Sequence, residues 1–145
     1  QYSESAFSFD TKHGSSHEYE KYYSKILVID FWFTACGNCY KGFESFESLR
    51  KNFEPNKNIA FIAVNNADKN FAQYTVGVNR IHQMGYEFDT VLDTFNVFDQ
   101  FKQYPAQIII APNGAVKYSS TGYNIDTKDV KTKDMKSIII ELLKQ

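Results

Sequence analysis

The sequence is short of the residues that staple, kink or anchor a chain: in 145 residues it has two cysteines and three prolines. Two cysteines exclude a disulfide-stapled scaffold, which needs several pairs. They do not by themselves fix a redox compartment. A long apolar run is also missing. The longest stretches, "ILVIDFWF" and "IIIELL", fall well short of the roughly 18 apolar residues that suggest a membrane-crossing helix. No membrane insertion of this segment is therefore expected. Charge of one sign is lacking too. A net charge of −1 removes the bulk electrostatic reason to bind nucleic acid or an acidic membrane surface. No signal peptide is visible, although a chain beginning "QYSESAFSF" is compatible with a mature or trimmed product of a longer protein.

Aromatic residues are abundant. Ten tyrosines and thirteen phenylalanines suit a bulky core, with a few left outside as contact surface. The length fits one domain that buries roughly two-thirds of its unfolded surface. No internal repeat, low-complexity stretch or domain boundary interrupts it, so residues 1–145 are expected to form a single domain.

Residues 1–24 are polar, with a short alternation at "AFSFD" and a turn expected at Gly14 to Ser16. "KILVIDFWF" (25–33) is nearly continuous in apolar, β-branched and aromatic residues, the mark of a strand buried on both faces. After Cys39 the period becomes helical. Phe43, Phe46, Leu49 and Phe53 share one face, with Lys41, Glu44, Glu47, Ser48 and Lys51 opposite. Pro55 should stop this helix. "NIAFIAVNN" reads as a second buried strand, followed by a helix with Phe71, Tyr74, Val78 and Ile81 on one face and Gly85 as terminator. Strand, helix, strand, helix with short connections predicts a parallel sheet covered by helices on both faces. "YEFDTVLD" is expected as a short strand and "TFNVFDQFKQY" as a short helix or turn. "AQIIIAPNGAVKYSST" predicts a hairpin around Asn113-Gly114, with positive φ at both turn centres. A last helix is expected from about Lys133 to Leu143, burying Met135, Ile138, Ile139, Leu142 and Leu143. The charges from Lys128 to Lys136 read as a solvated loop and helix start.

Both cysteines lie in "FWFTACGNCYKGF", at the expected junction from strand to helix. Cys36 then sits at a helix N-terminus, where unpaired N–H groups and the positive end of the dipole stabilise a thiolate. Cys39 lies one turn further in, within reach to close a small ring. Such a pair can carry two electrons: one thiolate attacks a disulfide and the other resolves the mixed disulfide. Two other uses of the pair compete. A structural zinc site needs four ligands, and His13, His17 and His82 match no zinc spacing. The pair could also be two buried structural cysteines.

"ILVIDFWFTACGNC" resembles the active-site segment of the thioredoxin family. Asp30 stands six residues before Cys36, where that family has a buried aspartate, and Trp32 matches its aromatic. Pro105, ahead of "AQIIIA", matches its cis-proline. The order of segments from "FSFDTKHGSSHEYEKYYSK" to "VLDTFNVFDQFKQYPAQIIIAPNGAVKY" is similar to that of the TlpA/ResA-like thiol-disulfide oxidoreductases, over nearly the whole chain. The resemblance implies a thioredoxin-like three-layer α/β/α sandwich around a central mixed sheet. The chain departs from the pattern at Ala35, where a tryptophan is usual, at Gly42, where the ResA-like branch has a buried glutamate, at Glu44 and at the bulky Tyr104.

What the resemblance implies for the site is a redox-active Cys36–Cys39 disulfide with Cys36 as nucleophile and Cys39 as resolving thiol. Asp30, set in an apolar run that would raise its pKa, is expected to take the proton from Cys39; the plainer alternative is a strand-end carboxylate reaching solvent. Trp32 is expected to lie partly in the core and partly on the rim, with a core-only role as the alternative. Tyr104 and a cis Pro105 are expected to offer backbone to a substrate chain, unless Tyr104 only packs. His82 is expected on the surface or satisfied in the core. No organic cofactor and no metal are expected. The expected partners are protein thiols and disulfides, with an electron-donating dithiol protein. A monomer is expected, in the bacterial periplasm or on the outer face of a membrane, tethered by a segment before Gln1. Reduction is the expected direction. The alternatives are a disulfide oxidase or isomerase, a copper metallochaperone and a peroxidase on the same fold. The last needs Pro-x-x-x-Thr-x-x-Cys, whereas Thr34 stands two residues before Cys36 with no proline ahead.

Overall fold

The computed structural model describes residues 17–145. The alternation at "AFSFD", the turn at Gly14 to Ser16 and His13 lie outside the described residues.

The first strand, β1 (Ile26–Trp32), is buried at every position. The sequence dictates this, because neither side of "ILVIDFW" is polar enough to face water. β1 pairs in parallel with β2 (Ile59–Asn65), also buried throughout, and antiparallel with β4 (Ala106–Ile110). β3 (Asp89–Leu92) adds in parallel to β2, and β5 (Val116–Thr121) antiparallel to β4. The mixed five-stranded sheet has the order β3-β2-β1-β4-β5, which makes the fold thioredoxin-like.

The pleat divides β1 between two cores. Ile26, Val28 and Trp32 face one, and Leu27, Ile29 and Phe31 the other. Both faces are covered, but the layers are unequal. The buried apolar side chains of α1 (Gly37–Phe53), α2 (Phe71–Gln83) and α3 (Lys128–Leu143) all join the first core. The second is closed by Tyr19 and Tyr22 of a 3-10 helix (His17–Tyr22) and by Phe98 and Phe101 of a turn, with Phe31 stacked on Phe101 at 5.0 Å. Among the described residues, the three α-helices therefore cover one face, and the 3-10 helix and large rings close the other. A fully buried Phe contributes about 1.5–3 kcal/mol, so two or three rings there substitute for an α-helical layer.

Four further expectations change. Glu47 is not on the solvent face of α1 but 3% exposed. It is held by Arg50 Nε at 2.8 Å and by the Glu87 amide at 2.8 Å. Burial pushes its pKa up, but these hydrogen bonds and the charges of Arg50 and Lys51 hold it below the ordinary value. Phe71, at the first turn of α2, is 70% exposed and packs on Tyr74 rather than into the core. In the hairpin only Gly114 of the Asn113-Gly114 pair takes positive φ (92°). The Gly114 amide bonds back to the Ala111 carbonyl at 2.8 Å, closing a turn with Pro112 second, where proline fits; a register shift at Ile109/Ile110 follows. Finally, α3 begins at Lys128, not near Lys133, and Lys131 is not simply solvated. Its Nζ donates to the Gly122 carbonyl at 2.9 Å. The Glu54–Pro55 and Tyr104–Pro105 peptides are both cis.

Candidate active site

The parallel β1–β2 pair and the antiparallel β1–β4 pair bring three loops to one end of the sheet. Phe31, near the end of β1, lies beside Ala106, the first residue of β4, so Pro105 stands at the end where β1 hands over to α1. Trp32 pairs with Asn65, the last residue of β2. Phe33, Thr34 and Ala35 then lead to Cys36.

Cys36 is the N-cap of α1. Its backbone is extended (φ −83°, ψ 95°) and its Sγ accepts the Cys39 amide at 3.1 Å. In a cap, the side chain satisfies a first-turn N–H that has no partner within the helix. Here sulfur takes the place of the usual oxygen, so negative charge on Cys36 would be held by that amide and by the helix dipole. Cys36 and Cys39 are joined in a disulfide with Cα atoms 5.3 Å apart. Cys36 is 6% exposed and Cys39 fully buried, with Cys39 Sγ 3.9 Å from the Phe31 carbonyl oxygen. Ala35, Gly37 and Asn38 around Cys36 are exposed, so the pair meets solvent at Cys36.

Asp30 is 1% exposed. Burial pushes its pKa up to about 8, although a hydrogen bond from Gln107 and the charge of Lys131 pull it down. Gln107 is its register partner on β4, donating from Nε2 at 3.3 Å, and Ser120 Oγ donates to Gln107 Oε1 at 2.9 Å. Asp30 borders a cavity of about 40 Å³ between α1 and α3, shared with Gly42, Gln107 and Lys131. That volume exceeds the roughly 10–15 Å³ a water requires. From α1 the cavity is lined by Gly42, three residues beyond Cys39, and by Ser45, Phe46 and Leu49. Lys131, whose pKa burial lowers and Asp30 raises, brings to Asp30 a charge that the sequence pattern had placed in solvent.

Trp32 is fully buried, with edge or tilted contacts to Tyr40, Phe43 and Tyr74. It belongs to the core, and the expected share in the rim is absent. The reason is α2, which lies over it so closely that a Cβ on Gly77 would come within 2.5 Å of the indole. Tyr104 is half-buried. Its ring meets Phe33 edge-on at 5.3 Å, and its hydroxyl donates to Asn66 Oδ1 at 2.6 Å. Asn66 in turn donates to the Phe98 and Phe101 carbonyls. His82 is exposed. Among the described residues, no three or more His, Cys, Asp and Glu side chains group as metal ligands would, and no helix is long and apolar enough to cross a membrane.

Several residues of the site carried no sequence motif. Gln107 left a trace, as one polar residue in "AQIIIA", but only the register shows that it faces Asp30. Lys131 joins the site because α3 starts early.

A disulfide-bonded cysteine pair capping the first core helix of such a sheet, with a buried acid on the strand that leads into it, defines a thioredoxin-like redox protein. The chain belongs to the AhpC/TSA family, whose model matches residues 4–119. Among solved structures, it is similar to a Chlorobium tepidum protein assigned as the thiol:disulfide interchange protein DsbE: 21% identity, 83% of this chain and 82% of that one, TM-score 0.65. StoA from Bacillus subtilis matches at 18% identity, over 77% of this chain and 82% of that one, with a TM-score of 0.60. The thioredoxin domain of a thiol-disulfide oxidoreductase from Bacteroides vulgatus matches at 19% identity, over 77% and 80%, with a TM-score of 0.59. At these identities the likeness concerns the fold, which is the thioredoxin-like one. Comparison with curated proteins finds no match.

Proposed function

We propose that the protein is a thiol–disulfide oxidoreductase that reduces disulfides in protein substrates. The observation that carries this is the Cys36–Cys39 disulfide with Cys36 as helix cap and meeting point with solvent, and Cys39 buried behind it. In the reduced protein the Cys36 thiolate attacks one sulfur of a substrate disulfide. A Cys36–substrate disulfide forms, and the departing substrate sulfur takes a proton. Asp30, as carboxylate, accepts the Cys39 proton. Cys39 then attacks Cys36 Sγ, closing the Cys36–Cys39 disulfide and releasing the second substrate sulfur. Two electrons pass from the enzyme dithiol to the substrate. Tyr104 and Pro105 offer backbone beside Cys36 for an extended substrate chain, the mode of strand addition. Electrons return from another dithiol protein. The TlpA/ResA likeness supports the reducing direction and a place outside the bacterial cytoplasm, and Asn38 adds no charge that would favour an oxidant.

Insulin reduction tests the reading: turnover is expected with the wild type, and a covalent substrate adduct with Cys39→Ser but not with Cys36→Ser. Adducts on Cys36→Ser alone would reverse the two roles. Turnover of hydroperoxide without turnover of disulfides would move the protein to the peroxidases. Tight copper binding by the reduced protein in place of exchange would move it to the metallochaperones.

A further inference from the structure

Of the three residues between β1 and Cys36, Phe33 packs against Tyr104 and the first core, Thr34 is half-buried and Ala35 is exposed. Cys36 must hold an extended backbone to keep Sγ on the Cys39 amide. The hold is concentrated at Thr34, where all three polar groups are engaged. Its N–H donates to Asp68 Oδ2 at 3.1 Å. Its hydroxyl lies 2.5 Å from the same oxygen and 3.0 Å from the Gln73 carbonyl, and donates its one proton within that pair. Its carbonyl accepts the Tyr40 hydroxyl at 2.9 Å, and Arg80 covers the Tyr40 ring at 3.8 Å.

Asp68 is itself fixed. Asn65, fully buried at the end of β2, donates from Nδ2 to Asp68 Oδ2 at 2.6 Å and accepts the Ala67 and Asp68 amides at 3.2 and 2.9 Å. A carboxylate suits the place because it only accepts. One oxygen takes donors from the redox loop and from β2, and charge assistance makes such bonds roughly twice as strong as neutral ones. Gly77 keeps the clamp open, since a Cβ there would lie 2.7 Å from Thr34 Oγ1.

We propose that Asp68 is a positioning residue of the redox site: through Thr34 it fixes the Phe33–Ala35 segment, and so keeps Cys36 Sγ in the N-cap position that stabilises its thiolate. This rests on the exchange chemistry proposed above. The carboxylate has two effects of opposite sign on Cys36. Holding the cap lowers the thiol pKa, and bringing a negative charge near raises it. Asp68→Asn keeps an acceptor and removes the charge, whereas Asp68→Ala removes both.

The Cys36 thiolate is followed by ultraviolet absorbance against pH in the Cys39→Ser background, which requires no turnover. Asp68→Ala is expected to raise the Cys36 pKa by about one unit, a tenfold loss of thiolate below it. Asp68→Asn is expected at or below the parent value. Thr34→Val, which deletes the hydroxyl and keeps the amide, is expected to shift it upward by less than Asp68→Ala, and it carries the test should Asp68→Ala fail to fold. An unchanged Cys36 pKa in Asp68→Ala or in Thr34→Val, even with a lowered unfolding midpoint, would leave Asp68 a stability residue and overturn the proposal. A fall in both Asp68 variants would show that only its charge matters, and overturn it as well. Failure of the wild type to reduce insulin, and of Cys39→Ser to form adducts with a disulfide substrate, would count against the exchange chemistry instead.

Discussion

A single carboxylate shows how one residue couples stability to pH. Asp30 has a folded pKa near 8 against 3.8 for the free group, with burial as the main cause. Between about pH 4 and pH 8 the native protein holds a proton that the unfolded chain has released. The unfolded state then binds fewer protons, so stability falls as pH rises across that window, by up to about 1.4 kcal/mol per unit from this group. The contribution is fully present below the unfolded pKa and lost by the folded one. Asp30→Asn cannot ionise, so its urea midpoint is expected to gain on the wild type from about pH 5 to about pH 8. Parallel midpoints across the range would mean that Asp30 is solvated. The same substitution is expected to slow disulfide turnover at neutral pH. At this scale the sequence is informative where chemistry is local. Cys36, Cys39 and Asp30 stand out by spacing within one strand and one turn. Trp32, Glu47 and Lys131 do not, because partners distant in the chain cover or hold each of them: α2 over Trp32, the Glu87 amide at Glu47 and the Gly122 carbonyl at Lys131.

Elements differ in how much of their placement is local. β1, β2 and the hairpin announce themselves through apolar runs and turn residues, and α1 through its period and Pro55. The position of α2 over Trp32 has no such signal, since it turns on Gly77, which looks in the sequence like a weak point of a helix. Gly77→Ala sets two effects against each other. Helix propensity favours alanine by about 1 kcal/mol. The new Cβ, however, would meet the indole at 2.5 Å and Thr34 Oγ1 at 2.7 Å, and overpacking costs about 1–3 kcal/mol. The indole is wedged among Tyr40, Phe43 and Tyr74, so the cost is expected to win and the denaturant midpoint to drop. A midpoint at or above the wild type would show that Trp32 yields freely. At the other end of the helix's energetics, Asn70 caps α2 by accepting the Gln73 amide at 2.8 Å. Asn70→Ala is expected to cost about 1 kcal/mol without touching the Cys36 pKa, and a cost near zero would show solvent replacing the cap.

For the whole molecule the question is which redox state the fold prefers, and here local signals end. The parallel strands and the hairpin were legible from the strand, helix and turn signals, and the mixed sheet from the resemblance to the thioredoxin family. The potential was not, because it is a difference between two complete folded states. A thermodynamic cycle links it to stability: the fold lowers its own potential by as much as it stabilises the disulfide form over the dithiol form, relative to the unfolded chain. In a two-electron couple 30 mV corresponds to about 1.4 kcal/mol. A value near the roughly −270 mV of thioredoxin is therefore separated from the roughly −120 mV of a strong oxidant such as DsbA by about 7 kcal/mol. The structure places two opposing groups of interactions on this scale. The Cys39 amide that caps Cys36 and the helix dipole stabilise a thiolate and so the reduced form. Burying Cys39 disfavours charge there and so favours closing the disulfide. For a reductase the second group must prevail. The oxidised protein is then expected to unfold at higher denaturant than the reduced protein at pH 7, and to equilibrate with glutathione almost wholly as disulfide. A reduced form that is the more stable of the two, with Cys36 titrating several units below a free thiol, would assign the protein to disulfide formation or isomerisation instead.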